Sequence, residues 1–268
     1  MDNRPIGVFD SGVGGLTALK ELRCLLPEEN IIYFGDTARL PYGTRSRETL
    51  LKYIAQDIAF LRRYDCKLIL AACGTVSTNI TPELAQSAGV PFLGVLEPAV
   101  KAACAATKNG RIGVIATPSS IRTGAYQQAI ANLQPSFQVT VKGCPLLVPL
   151  VENGFIQPDN EITEKVVRIY LDPVKEAGVD TLILGCTHFP LISKIIGRVM
   201  GSGTVLIDAG ECLARQARRE LEKREAFGTG GNTSYFVTDS TEDFSQIASL
   251  FLEDSVGGDV KWVNIDSL

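Results

Sequence analysis

Leu68-Ile69-Leu70-Ala71-Ala72-Cys73-Gly74-Thr75 and Leu182-Ile183-Leu184-Gly185-Cys186-Thr187-His188 share one grammar. Each is an apolar run of strand length, followed by small residues, a cysteine and a threonine. The two runs begin 114 positions apart. A second pair agrees: Ile6-Gly7-Val8-Phe9-Asp10-Ser11 matches Ile112-Gly113-Val114-Ile115-Ala116-Thr117 at an offset of 106. Two similar offsets point to two related α/β halves. Open α/β sheets bind ligands at the carboxyl ends of their strands, and Cys73, Cys186 and Asp10 all lie at such ends. If the halves face each other, the two cysteines approach one ligand from opposite sides. Opposed thiols suit chemistry that takes a proton from one face of a carbon and returns one to the other.

Outward from these runs, short apolar segments alternate with helical patterns, the signature of parallel α/β sheets. The candidate strands are 5–9, 30–34, 67–72, 90–94, 111–116, 137–141, 179–185 and 203–207, with late strands at 233–238 and 259–265. In 46–63, Leu50, Leu51, Ile54, Ile58 and Leu61 share one helical face. In 160–177 that face is assigned to Ile162, Val166, Val167, Ile169 and Val174, and Pro173 is expected to kink or interrupt the helix. Helices are also expected over 211–226 and 241–253, and residues 228–232 read as a loop. The expected architecture is two pseudo-symmetric α/β domains, each a mostly parallel sheet flanked by helices, with the site in the cleft between them. The first spans 1–97 plus 209–268, whose tail returns because it is too small for a core of its own. The second spans 98–208.

The chain has 268 residues, of which 45% are hydrophobic, enough to bury a core. Its net charge is −4. No strongly basic segment stands out, which argues against a nucleic-acid partner. No apolar run approaches the roughly 20 residues of a membrane helix, and the N-terminus runs straight into a strand with no secretory signal. The expectation is a cytoplasmic protein without a membrane partner. The seven cysteines form no C-x-x-C pair, which disfavours a structural metal or redox motif. Cys24, Cys66, Cys104, Cys144 and Cys212 are read as buried apolar residues.

Asp10-Ser11-Gly12-Val13-Gly14-Gly15 follows a strand and opens a helix, so its turn can present amides to an anion. A dinucleotide fingerprint fails there, because Thr17 stands where the third glycine would fall. The plain alternative is a tight turn with no ligand. Leu40-Pro41-Tyr42-Gly43 is a loop that, taken alone, signals only a turn with a partly buried tyrosine. His188 is the single histidine, and two residues beyond a strand-end cysteine it can serve as a proton relay. Thr75 and Thr187 can bind a ligand through hydroxyl and backbone groups. Glu152 precedes a glycine turn in an apolar neighbourhood, where it is either a salt-bridged helix end or a group that tunes a nearby acid or base. Thr117 and Thr123 flank the corresponding turn of the second half.

At these residues the chain resembles the glutamate racemase family of the cofactor-independent aspartate/glutamate racemase superfamily. The matching segments are Phe9 to Leu16, Gly35 to Gly43, Ala72 to Thr75, Leu150 to Glu152 and Gly185 to Leu191. The resemblance implies interconversion of L- and D-glutamate without a cofactor or metal, supplying D-glutamate for peptidoglycan. By similarity, Cys73 would take the α-proton of D-glutamate and Cys186 that of L-glutamate. Asp10 would assist the first, and His188 with Glu152 the second. Asp10, Ser11, Pro41, Tyr42, Gly43, Gly74, Thr75, Thr117, Thr187 and His188 would hold the substrate, and the protein would be a homodimer. Gly74 departs from the asparagine more common in the family, which removes a side-chain donor. Two other readings are a superfamily relative acting on aspartate or another small acid, and a non-catalytic anion-binding protein.

Overall fold

A computed structural model describes residues 1–253, 256 and 260–268. Among the described residues ten strands form two sheets in which every pairing is parallel. The first half supplies β1 (Ile6–Asp10), β2 (Ile31–Gly35), β3 (Leu68–Ala71) and β4 (Phe92–Gly94). The second supplies β5 (Arg111–Ala116), β6 (Gln138–Gly143), β7 (Thr181–Leu184) and β8 (Val205–Asp208). The late strands β9 (Thr233–Val237) and β10 (Val260–Trp262) follow. Residue 259, the start of the last expected strand, lies outside the described residues. One sheet runs β10-β9-β2-β1-β3-β4 and the other β6-β5-β7-β8. The orders β2-β1-β3-β4 and β6-β5-β7-β8 are the same permutation, so the internal repeat is real in three dimensions.

Register refines that repeat. Ile6 pairs with Leu68 across β1 and β3, and Ile112 pairs with Thr181 across β5 and β7. Superimposing Ile6 on Ile112 therefore places Leu68 on Thr181, an offset of 113 rather than 114. The one-residue correction puts Cys73 directly on Cys186. A register slip in a strand turns each side chain to the other face, so pairing fixes the equivalence more sharply than the apolar runs do.

Both faces of the first sheet are covered, as an all-parallel sheet requires. Ile6 and Val8 join the large core cluster, whereas Phe9 packs with Ile32, Phe34 and Ile69 on the opposite face. There they meet Leu50, Ile54, Ile58 and Leu61 of the helix Arg47–Arg62. Ser46 caps that helix by accepting from the Thr49 amide at 3.2 Å. The helix Ala209–Lys223 begins at Asp208, whose Oδ1 accepts from the Gly210 and Glu211 amides at 2.7 and 3.2 Å. It packs against the helix Leu16–Leu25 and so ties the end of β8 to the first half.

Three expectations are corrected. In the helix Glu161–Glu176 the buried face is Thr163, Val167, Leu171 and Val174. Ile162 and Ile169 are exposed; they sit on the other side of the 3.6-residue period. Pro173 does not interrupt this helix, because it falls in the last turn and forfeits a single hydrogen bond. Among the cysteines, all free thiols, Cys24 is exposed and Cys104 and Cys212 are half-buried, so only Cys66 and Cys144 of the five follow the apolar reading. Cys24 lies in the last turn of its helix, outside the buried face formed by Leu16, Leu19 and Leu22. Among the described residues no helix is long and apolar enough to cross a membrane.

Candidate active site

The carboxyl ends of β1, β3, β5 and β7 open on one cavity of about 650 Å³ between the halves. Ser11, Pro41, Tyr42, Gly43, Cys73, Gly74, Thr75, Thr117, Glu152, Cys186, Thr187 and His188 all line it. Asp10 does not; it is buried directly beneath, at the end of β1.

On the first side, Asp10 Oδ2 accepts from the Gly12 amide at 2.8 Å. Tyr33 donates its hydroxyl to the Gly12 carbonyl at 2.8 Å, which pins the turn from below. Burial raises the Asp10 carboxyl above its ordinary value, against the pull of His188 and of the Gly12 and Gly15 amides. Cys73 ends the extended segment after β3 and caps the short helix Gly74–Asn79; its carbonyl accepts from the Ser77 amide at 3.0 Å. Its thiol points to Ser11 Oγ at 3.6 Å. Burial pushes this thiol up to about 12, and the adjacent Asp10 adds to the shift. At neutral pH Cys73 is therefore a protonated thiol.

On the second side, Cys186 Sγ lies 3.7 Å from His188 Nδ1, and His188 Nε2 lies 2.9 Å from Glu152 Oε1. Glu152 reaches there as the last residue of the helix Leu147–Glu152. Burial alone would disfavour the imidazolium, but the hydrogen bonds to Cys186 and Glu152 outweigh it and hold the His188 pKa at about 10. A protonated imidazole donates from both nitrogens, so Cys186 Sγ is the acceptor in its contact. The two sulfurs thus differ: one is a donor toward Ser11, the other an acceptor from His188.

The halves meet closely here. Thr17 donates its hydroxyl to the Thr187 carbonyl at 2.9 Å, and the Thr75 and Thr117 hydroxyls lie 3.2 Å apart. A Cβ at Gly74 would fall inside contact distance of the Gly185 carbonyl oxygen, and one at Gly14 would run into Thr187 and His188. Glycine at 74 is what lets the two backbones approach.

Sequence reading missed several lining residues, among them Cys144, Val148, Pro149 and Arg122. Cys144 follows β6 immediately, so its position as a third strand-end cysteine was an available signal. Arg122 is the only arginine or lysine lining the cavity among the described residues. Thr123, expected beside Thr117, instead donates its hydroxyl to the Ser120 carbonyl at 2.7 Å and is not part of the lining.

A profile of the Asp/Glu/Hydantoin racemase family matches residues 19–217. The chain belongs to the Asp/Glu/Hydantoin racemase family. This racemase is 44% identical over 267 residues to the glutamate racemase of Geobacter metallireducens, covering 98% of each chain. Its fold superimposes on glutamate racemase from Francisella tularensis, solved in complex with D-glutamate, with a TM-score of 0.93. That match has 36% identity over 100% of both chains. Glutamate racemase RacE1 from Bacillus anthracis gives a TM-score of 0.94 and 33% identity, covering 99% of each chain. The expected architecture of two α/β units with helices on their sheets is that of these relatives.

Proposed function

We propose that this racemase interconverts L- and D-glutamate through Cys73 and Cys186, without a cofactor. The observation that carries the reading is the paired asymmetry: two thiols line one cavity, each with its own acid–base partner, in opposite hydrogen-bonding roles. Racemisation by two bases needs one sulfur to accept a proton while the other holds one. In the L-to-D direction Cys186 Sγ takes the α-proton, leaving the electron pair on the α-carbon. The Cys73 thiol then gives its proton to the opposite face, ending as a thiolate. Ser11 and Asp10 flank that proton, and His188 with Glu152 stabilises the charge on the other side. The carbanion forms in the cleft between the halves, where oriented dipoles of the protein can stabilise the developing charge.

Glutamate is favoured as substrate by the family segments of the cavity wall and by the named activity of relatives at 36–44% identity. Its D-isomer would serve peptidoglycan synthesis in the cytoplasm. Ser11, Thr75, Thr117 and Thr187 supply hydroxyls to the substrate, and the Pro41-Tyr42-Gly43 segment supplies backbone groups.

The test is incubation of the purified protein with L-glutamate in D₂O without added cofactor, following the α-proton by NMR and rotation by polarimetry. Exchange with rotation decaying to zero is expected. Exchange with retained rotation would leave one sulfur acting, and absence of exchange would send the search to aspartate and other small acids.

A further inference from the structure

Behind the Leu40–Thr44 segment, away from the reacting sulfurs, lies a buried polar cluster that the proton-transfer reading does not use. Asp36 follows β2, Arg39 ends the 3₁₀ turn Thr37–Arg39, Tyr42 opens the next turn, and Asp57 projects from the helix Arg47–Arg62. All four are buried. Arg39 Nη1 donates to Gln56 Oε1 at 2.6 Å, and its guanidinium sits 4.2 Å from the centroid of the Tyr53 ring. Asp10 of β1 is the remaining charged group close enough to act on Asp57.

The hydrogen bonds fix the proton inventory. Asp36 Oδ2 accepts from Arg39 Nε at 2.5 Å and contacts the Tyr42 hydroxyl. Asp36 Oδ1 accepts from the Thr238 hydroxyl at 3.0 Å; that hydroxyl itself accepts from the Ala38 amide, so its own proton is free for Asp36. Every neighbour of Asp36 is thus a donor, and Asp36 is an acceptor throughout. Asp57 Oδ1 accepts from Arg39 Nη2 at 3.0 Å, while Oδ2 lies 2.9 Å from the Tyr42 oxygen. A phenol has one proton to donate, yet Tyr42 touches two carboxyl oxygens. One of those carboxyls must donate to Tyr42. Placing that proton on Asp36 would set a carboxylic-acid hydroxyl against the Arg39 Nε–H, so Asp57 is the donor.

We propose that Asp57 is a neutral carboxylic acid whose proton runs through Tyr42 to Asp36 and so fixes the Leu40–Thr44 segment against the cavity. Charge gives the same answer: one guanidinium neutralises one carboxylate, and a second buried carboxylate would stand uncompensated. Burial also drives the Asp57 carboxyl well above its ordinary value, with Asp36 adding to the rise and Arg39 opposing it. The consequence reaches the site because Pro41, Tyr42 and Gly43 line the cavity, and a Cβ at Gly43 would lie 3.5 Å from Thr117 Cβ. The Tyr42 hydroxyl points inward to the two carboxyls rather than to a ligand, so Asp57 is a positioning residue that acts through Tyr42. Its kinetic consequence rests on the racemase reading above; its proton does not.

An asparagine at 57 is the isostere of the protonated acid: its oxygen would accept from Arg39 and its NH₂ would donate to Tyr42. Asp57→Ala leaves Tyr42 and Arg39 each short of a partner, so KM for glutamate is expected to rise about tenfold with kcat held within about threefold. Asp57→Asn is expected to restore KM to near the wild-type value, whereas Asp36→Asn, which faces donors only, is not. Infrared difference spectra at neutral pH between the wild-type protein and Asp57→Asn should show a carboxylic-acid carbonyl band in the former alone. A rise of KM in Asp57→Asn equal to that in Asp57→Ala, or absence of that band from the wild-type protein, overturns the proposal. If the wild-type protein racemises nothing, the infrared comparison still decides where the proton lies.

Discussion

Glu152 Oε1 stands 2.9 Å from His188 Nε2, and the other ring nitrogen stands 3.7 Å from Cys186 Sγ. This carboxylate–imidazole–sulfur line has no counterpart at Cys73, whose neighbours are Ser11 and the buried Asp10. The scaffold repeats, with strand order and register alike in the two halves, but the chemistry attached to each cysteine does not. A symmetric scaffold with unlike partners suits a reaction whose two directions begin from different substrates.

Replacing Glu152 with glutamine tests that line. The change keeps an oxygen that can accept from His188 but removes the negative charge that helps hold its pKa near 10, so the imidazole should titrate at lower pH. The alkaline limb of the L-to-D pH–rate profile should move to lower pH, with kcat down by about tenfold. Stability has a definite sign as well. A histidine pKa raised on folding stabilises fully below its unfolded value near 6.5, and the contribution fades as pH rises through about 10. The melting temperature of Glu152→Gln should fall below wild type most near pH 6 and converge with it above pH 10. A pH-independent difference would show that the carboxylate acts only by packing.

The two cysteines should fail in different ways. Cys73→Ser and Cys186→Ser are each expected to lose racemisation by about 10³-fold or more, since serine neither ionises nor shuttles a proton at neutral pH. Each variant should still catalyse a one-base elimination from the β-substituted amino-acid enantiomer whose α-proton faces the surviving sulfur. Near-normal racemisation by either variant would remove the two-thiol mechanism.

Gly74 carries a geometric prediction. Its Cα faces the Gly185 carbonyl with no room for a methyl group, so Gly74→Ala must part the cleft beside both sulfurs. Catalysis depends on near-contact geometry, and a displacement of about 1 Å can cost about 10²-fold. The expectation is a kcat/KM loss of that order with a modest change in melting temperature, because the clash can be relieved by hinge opening rather than by unfolding. A large drop in melting temperature with kcat retained would place the strain in the core of the first half instead.

Much of this was legible in the chain itself. Apolar runs ending in Cys73 and Cys186 marked the strand ends, and the offsets of 114 and 106 marked two halves. Backbone pairing was needed to find the true offset of 113, since apolar runs alone do not specify register. Ile162 and Ile169 mislead because with Val166 they form an i, i+4, i+7 stripe of their own, while the packed stripe of the same helix is Thr163, Val167, Leu171 and Val174. The Asp36–Arg39–Asp57 cluster leaves one trace in the sequence: Asp57 falls three residues after Ile54 and one before Ile58, inside the apolar stripe of its helix. A carboxyl on such a stripe needs a buried partner, and Arg39, eighteen positions earlier, gave no local sign of being it. Contacts at that separation are set by the sheet that brings β2 beside the helix.

Away from the cleft, Cys66 makes the alkaline limit of stability testable. Burial pushes its thiol up to about 12, with Asp65 adding to the rise, from an ordinary value of 9.0. Above pH 9 the unfolded chain therefore binds fewer protons than the folded one, and stability falls as pH climbs until the folded thiol itself ionises near 12. Cys73 and Cys144 are likewise held at about 12 and Cys212 at about 11, so the slope is shared among the four. Cys66 Sγ packs against the backbone near Gly7 and Leu61, and Cys66→Ala should lower the melting temperature slightly at pH 7. The same substitution should flatten the decline of melting temperature between pH 9 and 11, because one of the retained protons is gone. Parallel curves for wild type and Cys66→Ala would mean that Cys66 ionises alike in both states, and that the alkaline loss belongs to the other raised thiols.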